Sequence, residues 1–147
     1  MKNERGFTLV ELLIVIAITG VVASVIGTVI FQLTTVSEHG NARLTALHEL
    51  QNAAYWFNYD GQKSIAASGG ATLTLTLPTA ETITYALSGT NLQRTTDAVT
   101  NTLARNISTV SFSVSGRSIT MDITSTPAGR TQVTEQGTYR VTMRPTP

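Results

Sequence analysis

At 147 residues the chain has room for one compact domain plus an extended element, which sets a multidomain enzyme aside. Ten Lys and Arg against nine Asp and Glu give a net charge of +1. Lys2, Glu4 and Arg5 supply that unit, so the rest of the chain is neutral and lacks the dense positive field that nonspecific nucleic-acid binding uses. Cysteine is absent, which removes disulfides, thiolate nucleophiles and cysteine-held zinc or iron.

Residues 1–6 are polar and basic, and residues 12–30 then run without a charge. A helix of that length rises about 28 Å, close to the hydrocarbon thickness of a bilayer. An ordinary secretory signal peptide is the alternative, with Ala23-Ser24-Val25 as an imitation of its cleavage site. Such peptides have a shorter apolar core, of about 7 to 15 residues. They also leave Glu11 unexplained, a carboxylate at the edge of the apolar run, where an ionisable group is costly without a partner.

The stretch Gly6-Phe7-Thr8-Leu9-Val10-Glu11-Leu12-Leu13 resembles the processing motif of type IV prepilins and type II secretion pseudopilins. The resemblance implies that a prepilin peptidase removes a leader of residues 1–6 by cutting between Gly6 and Phe7 and methylates the Phe7 amine. It implies also that Glu11 pairs with the N-terminal amine of an adjacent subunit, which offsets the desolvation of both charges and sets an axial register. A plainer role for Glu11 is that of a helix N-terminal carboxylate favoured by the macrodipole. The implied partners are the peptidase, other pilin or pseudopilin subunits, an inner-membrane assembly platform and membrane lipid. The implied location is the cell membrane, crossed once by a segment of residues 7–31, with the C-terminal domain outside the cytoplasm. Thr28 stands where many major pilins place a kinking proline, which predicts a straighter helix and favours a minor pilin or pseudopilin over a bulk filament subunit.

Residues 32–63 keep helical chemistry. Leu33, Val36, Leu44, Leu47, Leu50, Ala54 and Phe57 recur at three- or four-residue intervals apart from a double step at Gly40, predicting one apolar face. Tyr55, Trp56, Phe57 and Tyr59 concentrate aromatic mass near the helix end, and packing against the core or a sheet is the expected use.

Residues 64–147 hold 20 Thr and nine Ser, against six and two before them, so the chain changes character near position 64. Gly69-Gly70 reads as a flexible exit from the helix. Leu73, Leu75 and Leu77 alternate with Thr72, Thr74 and Thr76 before Pro78, predicting a half-buried strand. Ile83, Tyr85 and Leu87 predict a second, turning at Ser88-Gly89-Thr90-Asn91, with a short run at residues 92–95 after it. Residues 100–106 read as a short helix or an irregular crossing. Val110, Phe112 and Val114, then Gly116-Arg117, then Ile119, Met121 and Ile123 make the strongest hairpin signal. Tyr139, Val141 and Met143 complete one antiparallel sheet laid on the helix, an α+β fold.

No Gly-x-Ser-x-Gly elbow is present. His39 and His48 fall on opposite sides of a helix, and Asp60, Glu81, Asp97, Asp122 and Glu135 are scattered singly, so no catalytic group, metal site or cofactor is expected. The function expected is that of a structural or assembly subunit, a minor pilin or pseudopilin. The second reading is a surface binding module in the same architecture, an adhesin or DNA-uptake subunit, with Arg105, Arg117, Arg130, Arg140 and Arg144 as a basic patch if the fold gathers them. A membrane-anchored enzyme ranks below both.

Overall fold

The computed structural model describes residues 8–129 and 132–145. Helix α1 covers Leu9–Lys63. Among the described residues eight strands follow: β1 Ala66–Ser68, β2 Leu73–Thr76, β3 Thr82–Ser88, β4 Asn91–Thr96, β5 Val99–Ala104, β6 Ile107–Ser115, β7 Ser118–Ser125 and β8 Glu135–Thr142. The architecture is α+β, as the sequence predicts, and the chain divides into two compact units, Met1–Glu38 and His39–Pro147.

In the first unit the helix begins where Thr8 caps it. Its hydroxyl accepts a hydrogen bond from the Glu11 backbone N–H at 3.3 Å, and its carbonyl accepts from Leu12 N–H at 3.2 Å. Thr8 and Glu11 thus hold the N-cap and N3 positions of a capping-box sequence, which satisfies a donor that a helix start otherwise orphans. The helix continues unbroken through Thr28, whose hydroxyl bonds the Ser24 carbonyl at 2.9 Å. A proline there would lack its backbone N–H and clash with that turn.

In the second unit the sequence expectation of one sheet is replaced by two. The first is five-stranded and antiparallel in chain order, β1-β2-β3-β4-β5, and the second is three-stranded, β6-β7-β8. The division comes from residues 100–106, where neither the helix nor the irregular crossing forms. Asp97 and Ala98 both take positive φ, 50° and 64°, and turn the chain straight back as β5, after which Asn106 at φ 57° breaks the ladder. Two adjacent positive-φ residues define a type I′ hairpin turn, and Asp-Ala lacks the glycine that normally announces one. The β6–β7 hairpin turns at Gly116, φ 57°, where the sequence places it.

Strand alternation explains the threonine content. Leu73, Leu75, Ile83, Tyr85 and Leu92 face the core, while Thr74, Thr84, Thr95 and Thr100 form one row across β2, β3, β4 and β5 on the other face. Phe112, Ile119, Met121, Ile123 and Val141 give the second sheet's contribution to the same core. Gly70 is no flexible exit: its carbonyl accepts from Phe112 N–H at 2.9 Å and ties the β1–β2 connection to β6.

The helix meets the sheets through the C-terminal part of the predicted stripe, Leu50, Ala54 and Phe57, with Leu47 half-buried. Ala46, Leu50, Ala53, Ala54 and Phe57 are buried, whereas Leu44 is 57% exposed and Leu33 and Val36 are exposed. At about 100° per residue the two three-residue steps from Leu44 through Leu47 put Leu44 some 120° around the helix from Leu50, off the buried face. The aromatic cluster divides likewise. Phe57 is fully buried against Phe112, Trp56 is half-buried, and Tyr55 and Tyr59 lie exposed with parallel rings, the Lys63 ammonium 3.7 Å above the Tyr59 ring.

Polar groups fasten the last turns of α1 to the first sheet. Asp60, 1% exposed, accepts from Arg94 Nε at 2.6 Å and from Nη2 at 3.0 Å, and the Tyr85 hydroxyl donates to the same carboxylate. Burial first, then the Asp60 hydrogen bond, push the Tyr85 phenol far above its ordinary range, because both disfavour a phenolate. The Arg94 guanidinium lies 5.1 Å from the Trp56 ring centre, a cation–π contact. One residue along, Gly61 leaves room for Val141, whose methyl would lie 2.4 Å from any Cβ there.

Candidate functional site at the head of the N-terminal helix

The residues the sequence singles out concentrate at the start of α1. Gly6 and Phe7 lie outside the described residues. Glu11 sits in the first turn, exposed, with its backbone N–H held by Thr8. Thr8 is the capping residue that sequence reasoning missed, and the signal was available: Thr-x-x-Glu ahead of an apolar run is a capping-box pattern. The cap fixes where the helix begins and therefore where Glu11 stands on its first turn.

Beyond Glu11 the helix offers an apolar surface on every side. The best eighteen-residue window has a mean hydropathy of 2.7, and none of it is buried within the chain. Every large side chain from Leu12 to Phe31 among those described is about half exposed or more. A helix apolar all round needs either a protein core or lipid around it, and the described residues bury none of its most apolar window. The few hydroxyls are already satisfied by the helix itself: Thr19 bonds Val15 O at 2.7 Å, Ser24 bonds Val21 O at 2.8 Å, and Thr28 bonds Ser24 O. That is the arrangement a hydrocarbon surrounding demands. A Cβ at Gly20 or Gly27 would meet nothing within 4 Å apart from the helix's own adjacent backbone, so among the described residues no packed neighbour accounts for their small size.

A family model described as the prokaryotic N-terminal methylation motif matches residues 1–27. The chain carries the type IV pilin and pseudopilin signature. No curated protein and no solved structure matches the chain. The motif covers Gly6, Phe7, the Thr8 cap, Glu11 and most of the apolar run, and the motif's family is structural rather than enzymatic. With it, the long apolar helix and antiparallel sheets form a pilin-like α+β fold, and the single apolar helix fits a membrane-anchored, single-pass chain. The motif implies processing by a prepilin peptidase and assembly with other pilins.

The remaining sequence candidates are not assembled into a site. His39 and His48 are both exposed, and among the described residues no three His, Asp or Glu side chains come together. Arg105 stands at the end of β5 with its backbone N–H on Glu49, Arg117 donates to the Met143 carbonyl at 2.5 Å, and Arg140 lies on β8 opposite Thr120. Arg144 borders a surface depression with Lys63 and Glu81, and Arg130 lies outside the described residues. The acids Glu49 and Glu81 thus lie beside Arg105 and Arg144, two of the four described arginines of the expected patch.

Proposed function

We propose that the protein is a minor pilin or pseudopilin, a structural subunit of a type IV pilus or a type II secretion-like filament. The observation that carries this reading is the methylation motif over residues 1–27 overlapping a helix whose most apolar eighteen-residue window is unburied among the described residues. Prepilin peptidase cuts between Gly6 and Phe7 and methylates Phe7. The mature helix stays in the membrane, with the C-terminal domain outside the cytoplasm, until it packs against the helices of neighbouring subunits on the assembly platform.

Glu11 pairs with the new N-terminal amine of a neighbour. Each charge alone is expensive in lipid or in a filament core, and together they offset that cost and specify one stagger between subunits. Thr8 supports the pair by starting the helix at Leu9, which holds Glu11 on the first turn. Gly20 and Gly27 give room for close approach of another helix. The unbroken passage through Thr28 supports the minor or pseudopilin assignment over a major subunit.

Intact-mass measurement of protein extracted from membranes of cells that possess the peptidase tests the reading. The expected species begins at Phe7 and carries one added methyl group. A wild-type chain that still begins at Met1 in such cells would sink it.

A further inference from the structure

Strand β5 forms an edge of the five-stranded sheet, with β4 on one side and no strand on the other. The type I′ turn at Asp97 and Ala98 makes Thr96 and Val99 a hydrogen-bonded pair, and alternation makes Arg94 and Asn101 the next. The peptide groups of Thr100 and Thr102 therefore point away from β4. Past Thr102 the register shifts, and helix side chains take the strand's peptide groups. The Asn52 amide donates to Leu103 O, and the Glu49 carboxylate accepts from Arg105 N–H at 2.7 Å. The strand is sealed at its C-terminal end and open over residues 99–102.

Proteins usually blunt such an edge with a lysine, a proline, a bulge or a cover. Residues 99–102 read Val-Thr-Asn-Thr, with no charge and no proline, and all four are exposed, Val99 by 60%. Exposed Asp97 stands at one end of the opening and exposed Arg105 at the other.

We infer that this edge takes an extended polypeptide segment of a partner protein as a sixth strand, paired through Thr100 and Thr102, with Asp97 and Arg105 setting its polarity. Free main-chain donors and acceptors at alternate residues fit another extended main chain. A segment antiparallel to β5 meets Arg105 with an acid near its N-terminal end and Asp97 with a base near its C-terminal end, with uncharged β-branched residues between. A second copy of β5 has that order of charges, but two-fold pairing about the sheet normal would set the copies of the sheet-packed helix segment 39–63 antiparallel. Parallel packing of subunits in a filament, as proposed above, does not allow that pairing. The edge and its pairing stand on the unit His39–Pro147 and go beyond the filament reading, and only the choice of a partner over a second copy rests on that reading.

The test uses the full chain in detergent micelles and, as a probe of strand addition, a synthetic peptide of the chain's own residues 97–105, Asp-Ala-Val-Thr-Asn-Thr-Leu-Ala-Arg, which has the required order of charges. Amide hydrogen exchange followed by NMR should slow at Thr100 and Thr102, while Asn101, already bonded to β4, is unchanged. Thr102→Pro deletes an outward donor without touching the β4 ladder and should weaken the peptide about tenfold or more, the scale of a lost hydrogen bond plus a stranded acceptor. Methylating the two threonine amides of the peptide should abolish binding to the unaltered protein, which decides the matter even if the proline variant does not fold. Arg105→Glu should weaken the peptide, and exchanging Asp and Arg at the peptide's ends should weaken its binding to the unaltered chain. Absence of protection at millimolar peptide, or equal binding of the methylated peptide, overturns the inference. So does protection that appears without peptide as protein concentration rises, which would give the edge to a second copy.

Discussion

Arg94 of β4 grips Asp60 of α1 through two parallel hydrogen bonds, 2.6 and 3.0 Å, in a setting where the carboxylate is 1% exposed. The pair joins the last turns of the helix to the middle of the first sheet, and Tyr85 donates a third hydrogen bond to the same carboxylate. A carboxylate this buried is tolerable only because its partners are fixed in place.

Removing one member strands the other. Asp60→Ala should destabilise the unit His39–Pro147 by about 3–5 kcal/mol, the range for breaking a buried ion pair by deleting one partner. Chemical denaturation followed by circular dichroism measures it, and a loss below about 1 kcal/mol, the scale of an exposed pair, would contradict the assignment.

Tyr85 carries a pH dependence with a definite sign. Its phenol is raised above the ordinary value of 10.0 by burial and by Asp60, so above that pH the unfolded chain loses a proton that the folded chain keeps. Stability present below pH 10 should therefore fall as pH rises beyond it. Tyr85→Phe should lower stability at neutral pH and flatten the alkaline fall, as read from denaturation midpoints between pH 8 and 11.

Gly61 allows the helix to approach β8. A Cβ at that position would lie 2.4 Å from a Val141 methyl, so Gly61→Ala must displace one of them. The expected cost is about 1–3 kcal/mol, typical of overpacking, despite alanine's better helix propensity. Gly61→Ala combined with Val141→Ala should recover part of the loss, and failure of the double variant to do so would place the strain elsewhere.

At the other end of the chain, Gly6→Leu should leave the leader attached, whereas Glu11→Gln should still be cut at Phe7 but enter filaments poorly. Intact mass reports the cut, and sheared-filament fractions report assembly. Thr8→Val should cost the helix start about 1 kcal/mol, the scale of a lost cap, and show as faster amide exchange in the first turn.

The Asp97–Ala98 turn offers a gain in place of a loss. Ala98 holds φ 64°, a region that costs a residue with a Cβ roughly 1 kcal/mol and costs glycine little. Ala98→Gly should be neutral to stabilising by thermal denaturation, and a marked loss would mean that the alanine methyl has a packing role.

Sequence by itself determined the elements whose signal is local. The methylation motif, the nineteen uncharged residues after it, the helix end at Lys63 and the β6–β7 hairpin at Gly116 were all legible, because apolar run length, charge placement and two-residue alternation act within a few residues. The Thr8 cap was equally local and went unread. Tertiary structure alone decided which part of the helix stripe is buried, because burial is set by what packs on it and not by the count of apolar residues around it. It alone decided that the strands part into two sheets, because a positive-φ turn at Asp97 and Ala98 carries no glycine to announce it. And it alone brought Asp60, Tyr85 and Arg94 together across 34 positions of sequence, where three scattered polar residues become one buried network only when helix and sheet meet.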